Sequence, residues 1–205
     1  MKKRKLTKIT ELIISDESAE LSIDAISLVS QPAIEVDFVY LNKQKQNLTM
    51  SKVDEFNREI ISPALIPDKN IFRHDPSTNQ DFYVYFSKKT VKKASELYLR
   101  YNNHHKATYQ HEERVAGILT TESWIVEDSE KDKSALYGFS LPVGSWCVKM
   151  KIENQEIWDQ IIDGKLKGIS IEGFFVDKIQ ALSKEKDPTD QEVLSALNEI
   201  INTKK

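Results

Sequence analysis

The chain has a single cysteine, Cys147, so it can build neither an internal disulfide framework nor a cysteine-rich zinc site. It has no run of about 18 apolar residues, which excludes a membrane-spanning helix. It also lacks an excess of one charge sign. Its 29 Lys+Arg and 32 Asp+Glu leave a formal net charge of −3, giving no electrostatic reason to expect sequence-independent nucleic-acid binding. The opening Met1-Lys-Lys-Arg-Lys5 is basic like a signal n-region, but no apolar h-region follows it. No internal repeat or low-complexity tract is present. What is there is a chain of 205 residues, 40% hydrophobic and 30% charged. That is room for one ordinary domain with short appendages. The expectation is a soluble, intracellular protein that engages neither nucleic acid nor membrane.

Composition divides the chain into an N-terminal arm and linker (1–50), a main domain (51–180), and a linker with a C-terminal amphipathic helix (181–205). In the arm, an acidic patch at Asp16–Glu20 precedes an apolar stretch from Ile23 to Tyr40, where Ile34, Val36, Phe38 and Tyr40 alternate as in a strand. In the main domain, strands are expected at 60–66, 82–86, 107–111, 117–126, 136–141, 146–152 and 167–176. Helical spacing marks Ser87–Tyr101 and Glu153–Asp163, the latter stopped by Gly164. Val193, Leu194, Leu197, Ile200 and Ile201 form one stripe of a helix over about 190–202. Many strands with two helices between them suggest a β-rich α+β fold, a single partly closed β-barrel with flanking helices.

Three stretches could carry chemistry. The first holds His104, His105 and His111 within eight positions. Their spacing matches no established metal-ligand pattern, and His104-His105 reads as a solvated helix end. His111 closes a strand beside Glu112 and Glu113, so it is either a structural imidazole or a general base. The second stretch is Lys167-Gly-Ile-Ser-Ile-Glu-Gly-Phe174. Alternation puts Ser170 opposite Ile169 and Ile171, a hydroxyl fixed on a rigid strand, with Gly168 and Gly173 permitting close approach. It is either a nucleophile or a polar residue on an edge strand. The third stretch contains Glu122, which a hairpin with the His111 strand could bring within reach of the imidazole. Glu127 and Asp128 are the nearest substitutes, and each of the three also reads as a solvated edge charge.

These residues carry a resemblance. Gln110-His-Glu112, Glu122-Ser-Trp-Ile125, Gly138-Phe-Ser-Leu-Pro-Val-Gly-Ser-Trp146, Lys149-Met-Lys151 and Lys167–Phe174 resemble, in this order, the prohead maturation proteases of tailed bacteriophages. Ala25-Ile-Ser-Leu-Val-Ser-Gln-Pro-Ala-Ile34 resembles the opening of that family's branch in prophages of Gram-positive and Bacteroidetes hosts. The likeness covers roughly residues 23–178.

The resemblance implies a serine endopeptidase related in fold to herpesvirus assembly proteases, with Ser170 as nucleophile, His111 as base and Glu122 as third member. Glu172 is set aside, because a side chain two positions along the same strand projects parallel to Ser170. Oxyanion donors are expected near Gly144 or Gly168. The implied chemistry is acyl transfer without metal or cofactor. The implied substrates are the phage scaffold, the major capsid protein's scaffolding segment and the enzyme itself, inside the assembling procapsid in the host cytoplasm; self-association fits the same setting. Two other readings stand beside it: an inactive scaffold or minor capsid protein with the same fold, and a metal-dependent nuclease built on the histidines.

Overall fold

Alternation of apolar and polar residues builds most of the strands. In Trp146–Ile152, the side chains of Trp146, Val148, Met150 and Ile152 are fully buried on one face, while Lys149 and Lys151 stay partly exposed on the other. A computed structural model describes residues 8–14, 23–35, 39–41, 58–75 and 79–177. Its strands are β1 (Lys8–Ile13), β2 (Ala25–Val29), β3 (Val39–Leu41), β4 (Glu59–Leu65), β5 (Ile71–Asp75), β6 (Gln80–Phe86), β7 (Ala107–Tyr109), β8 (Glu113–Val115), β9 (Ile118–Ile125), β10 (Trp146–Ile152), β11 (Gly168–Glu172) and β12 (Val176–Asp177). Its helices are α1 (Lys88–Arg100), α2 (Lys133–Leu136) and α3 (Gln155–Ile162). The basic opening, the acidic patch, the linker at 43–49 and the expected C-terminal helix lie outside the described residues.

The class is α+β and β-rich, but among the described residues no closed barrel forms. Among the described residues the strands form three four-stranded sheets, ordered β12-β1-β6-β5, β3-β4-β10-β9 and β11-β2-β7-β8. The β4–β10 ladder is irregular but runs on to Leu65 and Trp146. Pro63 interrupts β4 without an N–H to donate, opposite a register shift at Trp146/Cys147 of β10. Strand β11 lies against β4, yet no ladder joins them.

The two long helices form where their apolar stripes and caps predict. Ser87 caps α1 by accepting from Thr90 N–H, and Val91, Ala94, Leu97 and Tyr98 are buried along one side. Burying each of the larger of these side chains contributes about 1.5–3 kcal/mol. Asn154 caps α3, accepting from Ile157 N–H at 3.1 Å, and Gly164 ends it at a φ of +69°. The strand expected at 136–141 does not form. Asp132 captures Ser134 N–H and starts the short helix α2, and Gly138 then turns the chain at a φ of +86°. Local capping there outweighs a short apolar alternation. The strand expected at 167–176 breaks after Glu172, its last residues joining β1 in a different sheet as β12. Of the strand expected over 34–40, Ile34 falls in a turn and only Val39–Leu41 pairs, with β4; residues 36–38 lie outside the described residues.

One glycine fixes the placement of β11. A Cβ at Gly168 would lie 2.5 Å from Cγ and 2.6 Å from Cβ of Pro32, whose ring cannot rotate aside. Gly168→Ala is therefore expected to lower stability by about 1–3 kcal/mol. A thermal midpoint equal to that of the parent protein would show that this close approach does not hold the strand.

Candidate active site

The sheet β11-β2-β7-β8 has one apolar and one polar face. Strand β2 is central and buried throughout, pairing antiparallel with β11 and parallel with β7. Ile26, Leu28, Ile169 and Ala107 point into the core. On the other face the register aligns Ser170, Ser27 and Thr108 in one rung across three strands, with Glu172 two residues further along β11. Among the described residues, Ser170 Oγ has no hydrogen-bond partner.

His111 is returned to this polar face by a tight turn. Gln110 and His111 both adopt left-handed backbone, with φ of +51° and +63°. Glu112 N–H closes the turn on Tyr109 C=O at 2.9 Å, as in a type I′ hairpin. For residues other than glycine this conformation costs roughly 1–2 kcal/mol each, and the surroundings offset it. Gln110 N–H donates to Leu28 C=O at 3.0 Å, Ser30 N–H to Gln110 Oε1 at 3.3 Å, and His111 N–H to Ser27 Oγ at 2.9 Å. Such strain concentrates at functional sites. The imidazole is half-exposed and its Nδ1 lies 3.1 Å from Glu172 Oε1, which also accepts from the Thr108 hydroxyl. With Nδ1–H donating to the carboxylate, Nε2 is left as the basic nitrogen.

His111 is thus tied to β11 and β2 at two points. Its backbone bonds Ser27, the cross-strand partner of Ser170, and its ring bonds Glu172, two residues from Ser170 on the same face. Residues i and i+2 of a strand stand about 6.6–6.8 Å apart. That is close to the span of two hydrogen bonds of about 3 Å each, bent around an imidazole. A histidine lying along the strand can therefore have carboxylate and hydroxyl at its two nitrogens.

Glu122 is elsewhere, which corrects the expected pairing with His111. It lies on β9, in the sheet β3-β4-β10-β9, opposite Lys149 of β10. Its carboxylate accepts from Lys133, and from Lys149 Nζ at 3.1 Å; Lys149 also pairs with Glu59 at 3.1 Å. The hairpin that would have joined Glu122 to the His111 strand does not form, because β7 pairs with the intervening β8. The parallel projection of Glu172 and Ser170, which argued against Glu172, instead puts both on the sheet face to which His111 is bonded.

The other candidates sort as simply. His104 and His105 sit on a 3-10 turn after α1, and His74 Nδ1 lies 2.8 Å from Asp81. Among the described residues, no three His, Cys, Asp or Glu side chains converge on a metal-sized point. Burial, with Asp132 adding to it, pushes the Cys147 thiol up to about 12, so it supplies no thiolate nucleophile near neutrality. Gly144 N–H is committed to Val126 C=O at 2.9 Å and cannot serve an oxyanion in this arrangement. No described helix is long and apolar enough to cross a membrane.

A hydroxyl, an imidazole and a carboxylate carried by one sheet face are the groups that serine hydrolases use, and the bond formed here is the one between imidazole and carboxylate. Residues 71–179 match the model of a family described as "Putative phage serine protease XkdF", and with more than half of its length matched, the chain belongs to that phage serine protease family. The match takes in His111, Ser170 and Glu172, while β2 with Ser27 lies outside it. No curated protein and no solved structure matches the chain.

Proposed function

We propose that the protein is a serine endopeptidase of phage procapsid maturation, with Ser170 as nucleophile, His111 as general base and Glu172 as the carboxylate that orients and charges the imidazole. The observation that carries this reading is the double tie of His111 to the Ser170 rung and to Glu172. His111 Nε2 takes the proton from Ser170 Oγ, and Oγ attacks the peptide carbonyl. The proton passes to the leaving amine as the C–N bond breaks, and water then hydrolyses the acyl-enzyme.

Strand geometry supports a peptide substrate. Ile26 N–H donates to Lys106 C=O and Leu28 C=O accepts from Gln110 N–H, so alternate peptides of β2 face β7, and those of Ala25, Ser27 and Val29 face β11. By that alternation Ile169 and Ile171 turn their N–H and C=O groups to the edge of β11 away from β2, where no described strand forms a ladder with them. An extended substrate can pair there as an added strand beside Ser170. The substrates we assign are the scaffold, the scaffolding segment of the major capsid protein and this chain's own terminal segments, within the procapsid. That setting, and the kinship in fold to herpesvirus assembly proteases, rest on the sequence resemblance.

A fluorophosphonate probe tests the reading directly. Incubation of the full chain should add one phosphonyl group, mapped by peptide mass spectrometry to Ser170 and absent in Ser170→Ala and His111→Ala. Absence of labelling at Ser170 would favour an assembly component that keeps the fold without the activity.

A further inference from the structure

We infer that the cleft beside Ser170 selects peptides presenting a carboxylate next to an apolar side chain, and that Arg73 is the group that reads the carboxylate. The inference rests on the protease reading, but it concerns which peptide is cut.

The cleft has a volume of about 280 Å³ and lies where β11 (Ile169, Ser170, Ile171) faces β4 (Ala64, Leu65). Leu12, Ile34, Leu65, Phe86 and Phe175 give it apolar walls, and Ser170 lies in its lining. Arg73 is the one charged residue among the described lining. It sits on β5 two positions after Ile71, so both side chains project from the same face into the cleft. Nη1 donates to Phe72 C=O at 3.0 Å, and no described carboxylate pairs with the guanidinium. Among the described residues, that leaves most of its five N–H donors without a partner. Elsewhere among the described residues, Arg114 pairs with Asp24, and Lys69 lies 3.9 Å from Glu35.

Arg73 is exposed overall, so it stands at the mouth of the cleft, and partial burial lowers its pKa from the ordinary value. A guanidinium placed at the rim of an apolar cleft can meet a planar carboxylate with two parallel hydrogen bonds. The apolar walls take an aliphatic or aromatic neighbour of that carboxylate. A basic substrate side chain would instead meet like charge, so the cleft discriminates in both directions.

The test uses the full chain on a peptide library made by digesting a denatured bacterial proteome, with new termini mapped by mass spectrometry. The parent protein should cut bonds with Asp or Glu at one fixed position within about three residues of the scissile bond, enriched about fivefold or more over the library. In Arg73→Ala the enrichment should vanish, and in Arg73→Glu it should turn toward Lys and Arg. An unchanged thermal midpoint checks that the variants fold. Cleavage without acidic enrichment, or enrichment that survives Arg73→Glu, overturns the inference and leaves the protease intact. Labelling of Ser170 without cleavage also overturns the inference alone. Neither labelling nor cleavage removes the protease reading and the inference together.

Discussion

Ser170→Ala should abolish processing of a co-expressed capsid precursor and lower peptide hydrolysis by about 10⁴–10⁶-fold, leaving only what binding and oxyanion stabilisation supply. The loss should be chemical and not structural. Ser170 is half-buried and its hydroxyl has no partner among the described residues, so removing it orphans no polar group. The thermal midpoint should stay within about 2 °C of the parent's, the shift expected of a surface-like substitution. His111→Ala should fall to the same residual rate, and the double variant no lower, because a nucleophile and its base fail as a unit. Independent, multiplying losses would mean that the two side chains do not act on one proton. Normal processing by Ser170→Ala would leave the chain as an assembly component with a protease-like sheet.

What the sequence made legible follows from how local each signal is. The stripe of α1 and the alternation of β10 are read within a single element, and both elements form within a residue or two of expectation. Ser170 and His111 carried local signals of the same kind: a polar residue between two core isoleucines, and an imidazole at a strand end. Closure of the sheets is not local. It depends on whether β11 completes a ladder with β4, and Pro63 and the bulges of β10 are weak hints until the register is known. The left-handed turn at Gln110 and His111 was illegible for a related reason. Neither residue is a glycine, and what holds the turn comes from Ser27, Leu28 and Ser30, some 80 positions earlier. Ser27 itself had a signal, as the one polar residue of Ala25-Ile-Ser-Leu-Val29, but a role only once β2 lay between β7 and β11. Arg73 carries no such signal, since a lone arginine on a strand gives no hint of an apolar cleft beside it.

The carboxylates give the sharpest contrast. Glu172→Gln keeps the volume and one acceptor oxygen for His111 Nδ1–H, but it removes the charge that stabilises the imidazolium, and its amide can turn its N–H₂ toward the ring and favour the unproductive tautomer. A buried triad carboxylate lost in this way costs about 10⁴-fold, whereas Glu172 keeps 21% of its side chain exposed and water screens part of the effect. The expected fall in kcat/KM is therefore about 10²–10⁴-fold, with fluorophosphonate labelling slowed in step. Glu122→Gln removes charge from a site that already holds Glu59 beside Lys149. Because Glu122 is 39% exposed, its ion pairs contribute no more than about 1 kcal/mol, so stability should drop slightly and kcat/KM should stay within about twofold. The opposite outcome, with Glu122→Gln inactive and Glu172→Gln active, would mean that the imidazole leaves β11 in the working enzyme. The parallel projection of Ser170 and Glu172 would then be a property of the strand alone, and the charge relation that makes Ser170 a nucleophile would have to be sought across the β9–β10 sheet.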